Sequence, residues 1–171
     1  MIRRYYATKD NTITNAFKEN LQTRATGSNM GASDILETFS IYNQVSNSSG
    51  ISSELARILI EFDTDQISSD RTANLVPASG SVSWFLKMYN TPHSQTTPTN
   101  FSLIVSAVSA SWQEGFGMDM DFYEDETKDQ TGSNWINAQK RTAATATIVA
   151  ATPGSLSNSA TFTLTNAAGT T

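Results

Sequence analysis

The stretch Leu55-Ala56-Arg57-Ile58-Leu59-Ile60-Glu61-Phe62-Asp63 decides the fold class. Ile58, Ile60 and Phe62 share one parity, while Arg57, Leu59, Glu61 and Asp63 share the other, which is the two-residue period of a half-buried strand. Similar segments lie on either side of it. Ser33–Tyr42 places Ile35, Glu37, Phe39 and Ile41 together, and Val82–Tyr89 places Val82, Trp84, Leu86 and Met88 together. Phe101–Val108 aligns Phe101, Leu103, Val105 and Ala107. Polar loops are expected between them: Asn43–Ser53, the turn around Pro77 and Gly80, and Thr91–Asn100 with Pro92 and Pro98. Asp10–Leu21 admits a short turn of helix, with Phe17 and Leu21 four apart and Thr14 or Asn15 as a cap, or else irregular structure. Short strands separated by Pro, Gly, Ser and Asn predict an all-β chain, a jelly-roll-like β-sandwich rather than a βαβ fold.

Composition narrows the chemistry. The chain has 171 residues, a net charge of −5, no cysteine and one histidine. That excludes a disulfide scaffold, a thiolate zinc site, an iron–sulfur cluster and a cysteine nucleophile. A mildly acidic balance argues against a nucleic-acid partner. Only 16% of residues are charged, so hydroxyl side chains carry much of the polarity. Met1–Asp10 holds no apolar run of the signal-peptide kind, and no window is apolar enough to span a bilayer. The expectation is a protein made in a host cytoplasm and not exported by the general route, a habit shared by the components of virus particles.

The order of short motifs points the same way. Asn29-Met30-Gly31-Ala32-Ser33-Asp34-Ile35-Leu36 precedes Ala56–Asp63; Phe101-Ser102-Leu103-Ile104-Val105, Ser111-Trp112-Gln113-Glu114-Gly115 and Asn134-Trp135 follow. Over residues 5–138 this resembles the DNRLRE-type domains, named after disaggregatase-related proteins. The resemblance implies a carbohydrate-binding-module-like jelly roll, found in secreted proteins and in phage structural proteins. The whole chain also resembles virion structural proteins of tailed phages that infect marine bacteria. The family's flanking domains and signal peptide are missing, which favours the virion setting. Within the motifs, Trp112 reads as an indole covering the core edge where a strand leaves the sheet, and Gly115 as the residue that lets it turn.

From Thr142 to Thr171 no residue is charged. Ala146–Gly154 and Ala160–Asn166 read as two strands around a turn, too few to be stable alone and with edges open to another chain. The expected organisation is a sandwich over 1–140 and, over 141–171, the start of a further domain or a segment that docks on a partner.

Candidate sites are few. Six carboxylates crowd into Asp119–Asp129, and Asp119, Asp121, Glu124 and Asp125 supply the hard oxygen ligands that suit Ca²⁺, although the EF-hand glycine and closing glutamate are lacking. The alternative is a solvated acidic loop. His93 has no recognisable nucleophile or second metal ligand beside it, so no catalytic residue is assigned. A glycosidase would need two carboxylates at a separation that sequence does not give. Trp112 and Trp135 either stack on a sugar ring or pack, whereas the parity of Trp84 places it in the core. Arg3, Arg4, Lys9, Lys18 and Arg24 put five of eleven basic residues in the first 24, facing an acidic partner or simply solvated. Gly115-Phe116-Gly117 is too short to be a phosphate loop.

The function expected from all this is a non-enzymatic virion component of a tailed phage, in a tail, neck, fibre-attachment or capsid-decorating position. It would contact other virion proteins in many symmetric copies, with no nucleic-acid or membrane partner and no cofactor beyond that Ca²⁺ candidate. The alternative is a carbohydrate-binding module that holds a glycan on Trp112 and Trp135; a polysaccharide-cleaving enzyme comes third.

Overall fold

A computed structural model describes residues 2–47, 50–77, 79–92, 100–108, 110–118, 122–125, 131–139 and 160–165. Strands dominate its regular structure: β1 (Ala7–Thr14), β2 (Ser40–Asn47), β3 (Gly50–Phe62), β4 (Asn100–Val105) and β5 (Ala160–Thr165), with one short helix α1 (Thr64–Thr72) and a 3₁₀ turn at Ser79–Ser81. The central sheet has the order β1-β3-β2, with both pairings antiparallel. The all-β expectation holds at that level.

The decisive segment is indeed a strand, and a longer one than its alternation suggests. β3 runs back to Gly50, so the described residues of the expected loop Asn43–Ser53 belong instead to β2 and β3. Small polar residues there carry no hydrophobic period, yet a neighbouring strand satisfies their backbone groups. β2 pairs imperfectly: its register shifts between Tyr42 and Ser46, where Asn43 takes a left-handed φ of 62°. Asparagine tolerates that conformation better than most residues. The strand expected from Ser33 begins only at Ser40.

Asp10 and its neighbours form strand, not helix. In β1, Asp10 lies opposite Ile60, Thr12 opposite Ile58 and Thr14 opposite Ala56. Beyond Thr14 the chain is irregular, with a single bridge between Phe17 and Arg24. The one helix follows β3 directly. Asp63 caps it, its carboxylate accepting from the N–H groups of Asp65 (2.9 Å) and Gln66 (3.2 Å), and the Asp-x-x-Gln spacing is the signal that marks the start.

Burial inverts the expected core. Ile58, Ile60 and Phe62 are only half-buried, whereas Ser52, Glu54 and Ala56 on the same face are buried. Glu54 is enclosed completely, its carboxylate accepting from Phe17 N–H at 2.9 Å and from the Ser52 hydroxyl at 3.3 Å. In β1, consecutive residues Asn11, Thr12, Ile13 and Thr14 are all buried, so both faces of that strand are covered. Glu37 N–H donates to Thr12 Oγ1 on one face (3.0 Å), and Asn11 on the other donates to Ser133.

Val82–Tyr89 is not a strand. It runs as irregular chain, and Trp84, placed in the core by its parity, is 51% exposed. Consecutive Trp84-Phe85-Leu86 put apolar side chains on both parities, and alternation makes a strand only where a ladder partner exists. Phe101–Val105 does have one. β4 pairs with β5, Leu103 opposite Phe162 and Val105 opposite Ala160, which joins residues on either side of the boundary drawn near Arg141. Ala146–Gly154, the strand expected beside β5, lies outside the described residues.

Candidate interaction surface and the amide core beneath it

Asn29 is the centre of the buried polar groups. Its Nδ2 donates to the carbonyls of Glu114 and Ser133, each at 2.7 Å. Its Oδ1 accepts from the N–H groups of Gly31 and Gly117, each at 3.0 Å. Two donors and two acceptor positions are therefore all used, the full capacity of a carboxamide. Asn11 repeats the device one strand away, donating to Ser133 Oγ (2.8 Å) and accepting from Met30 N–H (2.9 Å). Together the two amides staple residues 29–31, 114–117 and 133 to β1.

Glycine makes that approach possible. A Cβ at Gly117 would land on the carbonyl oxygen of Asn29, and one at Gly31 on that of Glu114. Gly132, at φ +103°, leaves 2.7 Å between such a Cβ and Asn29 Nδ2. Gly115, at φ +88°, provides the turn after Ser111-Trp112-Gln113-Glu114. Gly115-Phe116-Gly117 thus encloses an amide, a role its sequence alone does not announce.

The expected site residues fall into this scaffold. Trp112 is 6% exposed, with Lys9 Nζ 5.9 Å from its ring centre, so it packs and offers no open face to a sugar. Trp135 is half-buried, and the Arg57 guanidinium lies 4.2 Å over its ring. Both indoles sit on the face of β3 and β1 that carries Arg57, Glu61 and Lys9. Of the acidic set, Asp119 and Asp121 lie outside the described residues. Asp125 closes its own loop: its Oδ2 accepts from Met118 N–H at 2.9 Å, and its carbonyl accepts from Asn29 N–H at 3.1 Å. Glu124 is exposed, and among the described residues no three His, Asp or Glu side chains gather to hold a metal. His93 lies outside the described residues.

Sequence reasoning missed Asp70. This buried residue of α1 accepts from Arg3 (3.1 Å), from the Tyr5 hydroxyl (2.8 Å) and from Gln66 (3.2 Å), clasping residues 2–6 against the helix. The Tyr5 hydroxyl is held above its ordinary pKa by desolvation and by its bond to the Asp70 carboxylate. The Tyr5 ring lies 6.2 Å from that of Trp84. Asp70 thereby links the arm, the helix and the 82–89 segment.

That segment is a long exposed apolar stretch among the described residues. Phe85 is 88% exposed and Tyr89 80%, Leu86 and Met88 are exposed with them, and Lys87 Nζ stands 4.8 Å over the Tyr89 ring. Tyr6 and Ile2 of the arm are likewise exposed. A run of large apolar side chains on open chain, rimmed by cations, has the make-up of a protein-contact surface. Among the described residues no helix is long and apolar enough to cross a membrane. The chain matches no protein-family model, no curated protein and no solved structure, so the likeness to DNRLRE-type domains rests on its quoted motifs alone.

Proposed function

We propose that this chain is a non-enzymatic structural protein of a tailed bacteriophage particle, held in a tail, neck, fibre-attachment or capsid-decorating position by protein–protein contacts. The observation that carries the proposal is the exposed strip Trp84-Phe85-Leu86-Lys87-Met88-Tyr89 with its clasped 2–6 arm. Large exposed apolar side chains favour burial against another surface. The buried polar groups support the reading from the other side. Asn11, Asn29, Glu54 and Asp70 are each engaged by backbone or neighbouring side chains in holding segments together. The same proposal takes the β1-β3-β2 sheet as part of a jelly-roll-like sandwich, which the coverage of both faces of β1 supports.

The test is fractionation of the native protein from its source culture. Recovery in a fraction of megadalton particles, with the particle's other proteins in fixed ratio, is the expected result. A chain found only as a free species overturns the proposal. A glycan array would then examine the binding-module alternative, with Trp135→Ala and Trp84→Ala chains as controls.

A further inference from the structure

Charge is unevenly distributed over this molecule. Residues 2–6 and 71–92 contain Arg3, Arg4, Arg71 and Lys87 and no Asp or Glu, within a chain of net charge −5. Among the described residues the ion pairs are Arg3–Asp70 and Lys9–Glu61, which leaves Arg4, Arg71 and Lys87 without a carboxylate partner. All three flank the aromatic strip. Arg4 precedes Tyr5, whose ring meets Trp84; Arg71 acts electrostatically on the Tyr5 hydroxyl; Lys87 stands over Tyr89.

The opposite imbalance lies between the Asn-x-Gly stretch and the Trp-x-Glu-Gly loop. Ala32 N–H donates to the Gly117 carbonyl at 2.9 Å, which sets residues 32–35 beside 114–118. Glu114 Oε1 accepts from Asp10 N–H at 2.8 Å, and neither Asp10, Asp34 nor Glu114 has a cation partner among the described residues. Desolvation, then the charges of Glu114 and Asp34, raise the pKa of Asp10. Ile35 beside Asp34 in the chain, and Phe116 and Met118 just after Glu114, are exposed. One surface is therefore apolar with unpaired cations, and the other apolar with unpaired anions.

We infer, resting on the proposed role in an assembly, that the strip 82–89 with the 2–6 arm of one copy docks on the Asp10, Asp34 and Glu114 surface of a second copy. Charge complementarity selects this occupant, since each surface lacks within its own chain the counter-charges that the other presents. The two surfaces differ, so the contact is heterologous. It leaves a free surface at each end and extends into a ring or lattice.

Sedimentation velocity of the chain across a range of concentrations, at low and at high salt, tests this. The expected result is self-association that weakens about tenfold as salt shortens the Debye length from roughly 30 Å to below 10 Å. Arg4→Glu with Lys87→Glu gives a monomer, and so does Asp34→Lys alone. All three positions are exposed, and circular dichroism checks that each chain is folded. Mixing the two reversed chains restores association, because each then offers the charge the other lost. A wild-type chain that stays monomeric overturns the inference; so does association indifferent to these reversals, or failure of the mixed pair. A chain monomeric alone yet recovered in particles removes the second copy as occupant while leaving the virion proposal standing.

Discussion

The amide core around Asn29 and the aromatic strip around Trp84 invert what hydropathy leads one to expect. Asparagine, serine and threonine are enclosed; tryptophan, phenylalanine and tyrosine stand in water. The difference lies in what each region does with its polar backbone. Around Asn29 every loop N–H and C=O that meets the carboxamide is bonded, so the hydrogen bonds offset the cost of desolvation and fix one geometry. Around Trp84 no strand among the described residues pairs with 82–89, the backbone stays at the surface, and the large side chains stay with it. Rigidity in the first region and exposure in the second suit a scaffold that presents a contact surface.

If that contrast is right, substitutions in the core should act on folding and those in the strip on association. Gly117→Ala should have the largest effect. Its Cβ collides with a backbone carbonyl that Asn29 holds fixed, so chemical denaturation should show a loss of more than about 3 kcal/mol, or no folded protein. Asn29→Asp comes next, at about 3 kcal/mol near neutral pH. It keeps the shape but replaces the amide donor with a carboxylate oxygen facing the carbonyls of Glu114 and Ser133, which strips the first of its partner and leaves the second only its 3.1 Å bond from Asn11. If Asn29→Asp proves as stable as wild type, the amide is not what holds the loops.

Asp70→Asn tests the join between the two regions. Removing the carboxylate weakens its bonds to Arg3 and Tyr5, at a cost of about 1–2 kcal/mol. The Tyr5 hydroxyl, followed by ultraviolet titration, should then ionise at lower pH, since the charge of the Asp70 carboxylate is gone and its hydrogen bond to the phenol is weaker. Trp84→Ala should cost less than about 1 kcal/mol in stability while reducing self-association, and a large loss of stability instead would place that indole in the folding core. Asp10→Asn has the smallest expected effect. A folded pKa raised above the unfolded one means that the acid stabilises the fold in its protonated form. That contribution is complete below the ordinary carboxylate range and is lost as pH rises through the folded value. The asparagine variant should lack this pH dependence just above the ordinary range, as thermal melts across mildly acidic pH would show.

Local patterns made some of this legible and left the rest open. Ala56–Phe62 alternates and is a strand, because a two-residue period needs only its own residues to be recognised. Phe101–Val105 is a strand for the same reason, and Trp112 is buried, although residues 111–118 form no strand of a sheet. Helix α1 had a signal in Asp63-x-x-Gln66, but its apolar period was too weak to draw attention. Val82–Tyr89 alternates almost as well as β3 and is not a strand, since pairing depends on a neighbour that local sequence does not specify.

By itself, then, the sequence determined the β-rich class and excluded cysteine and multi-histidine chemistry, through composition and the period of its strands. Tertiary structure decided which face of β3 would carry the indoles, which asparagines would become the core, and that Trp84 would stay outside. The physical reason is one of range. Periodicity is a property of neighbours in the chain, whereas a carboxamide is satisfied by carbonyls 85 and 104 residues away, and only the folded chain brings them within 2.7 Å.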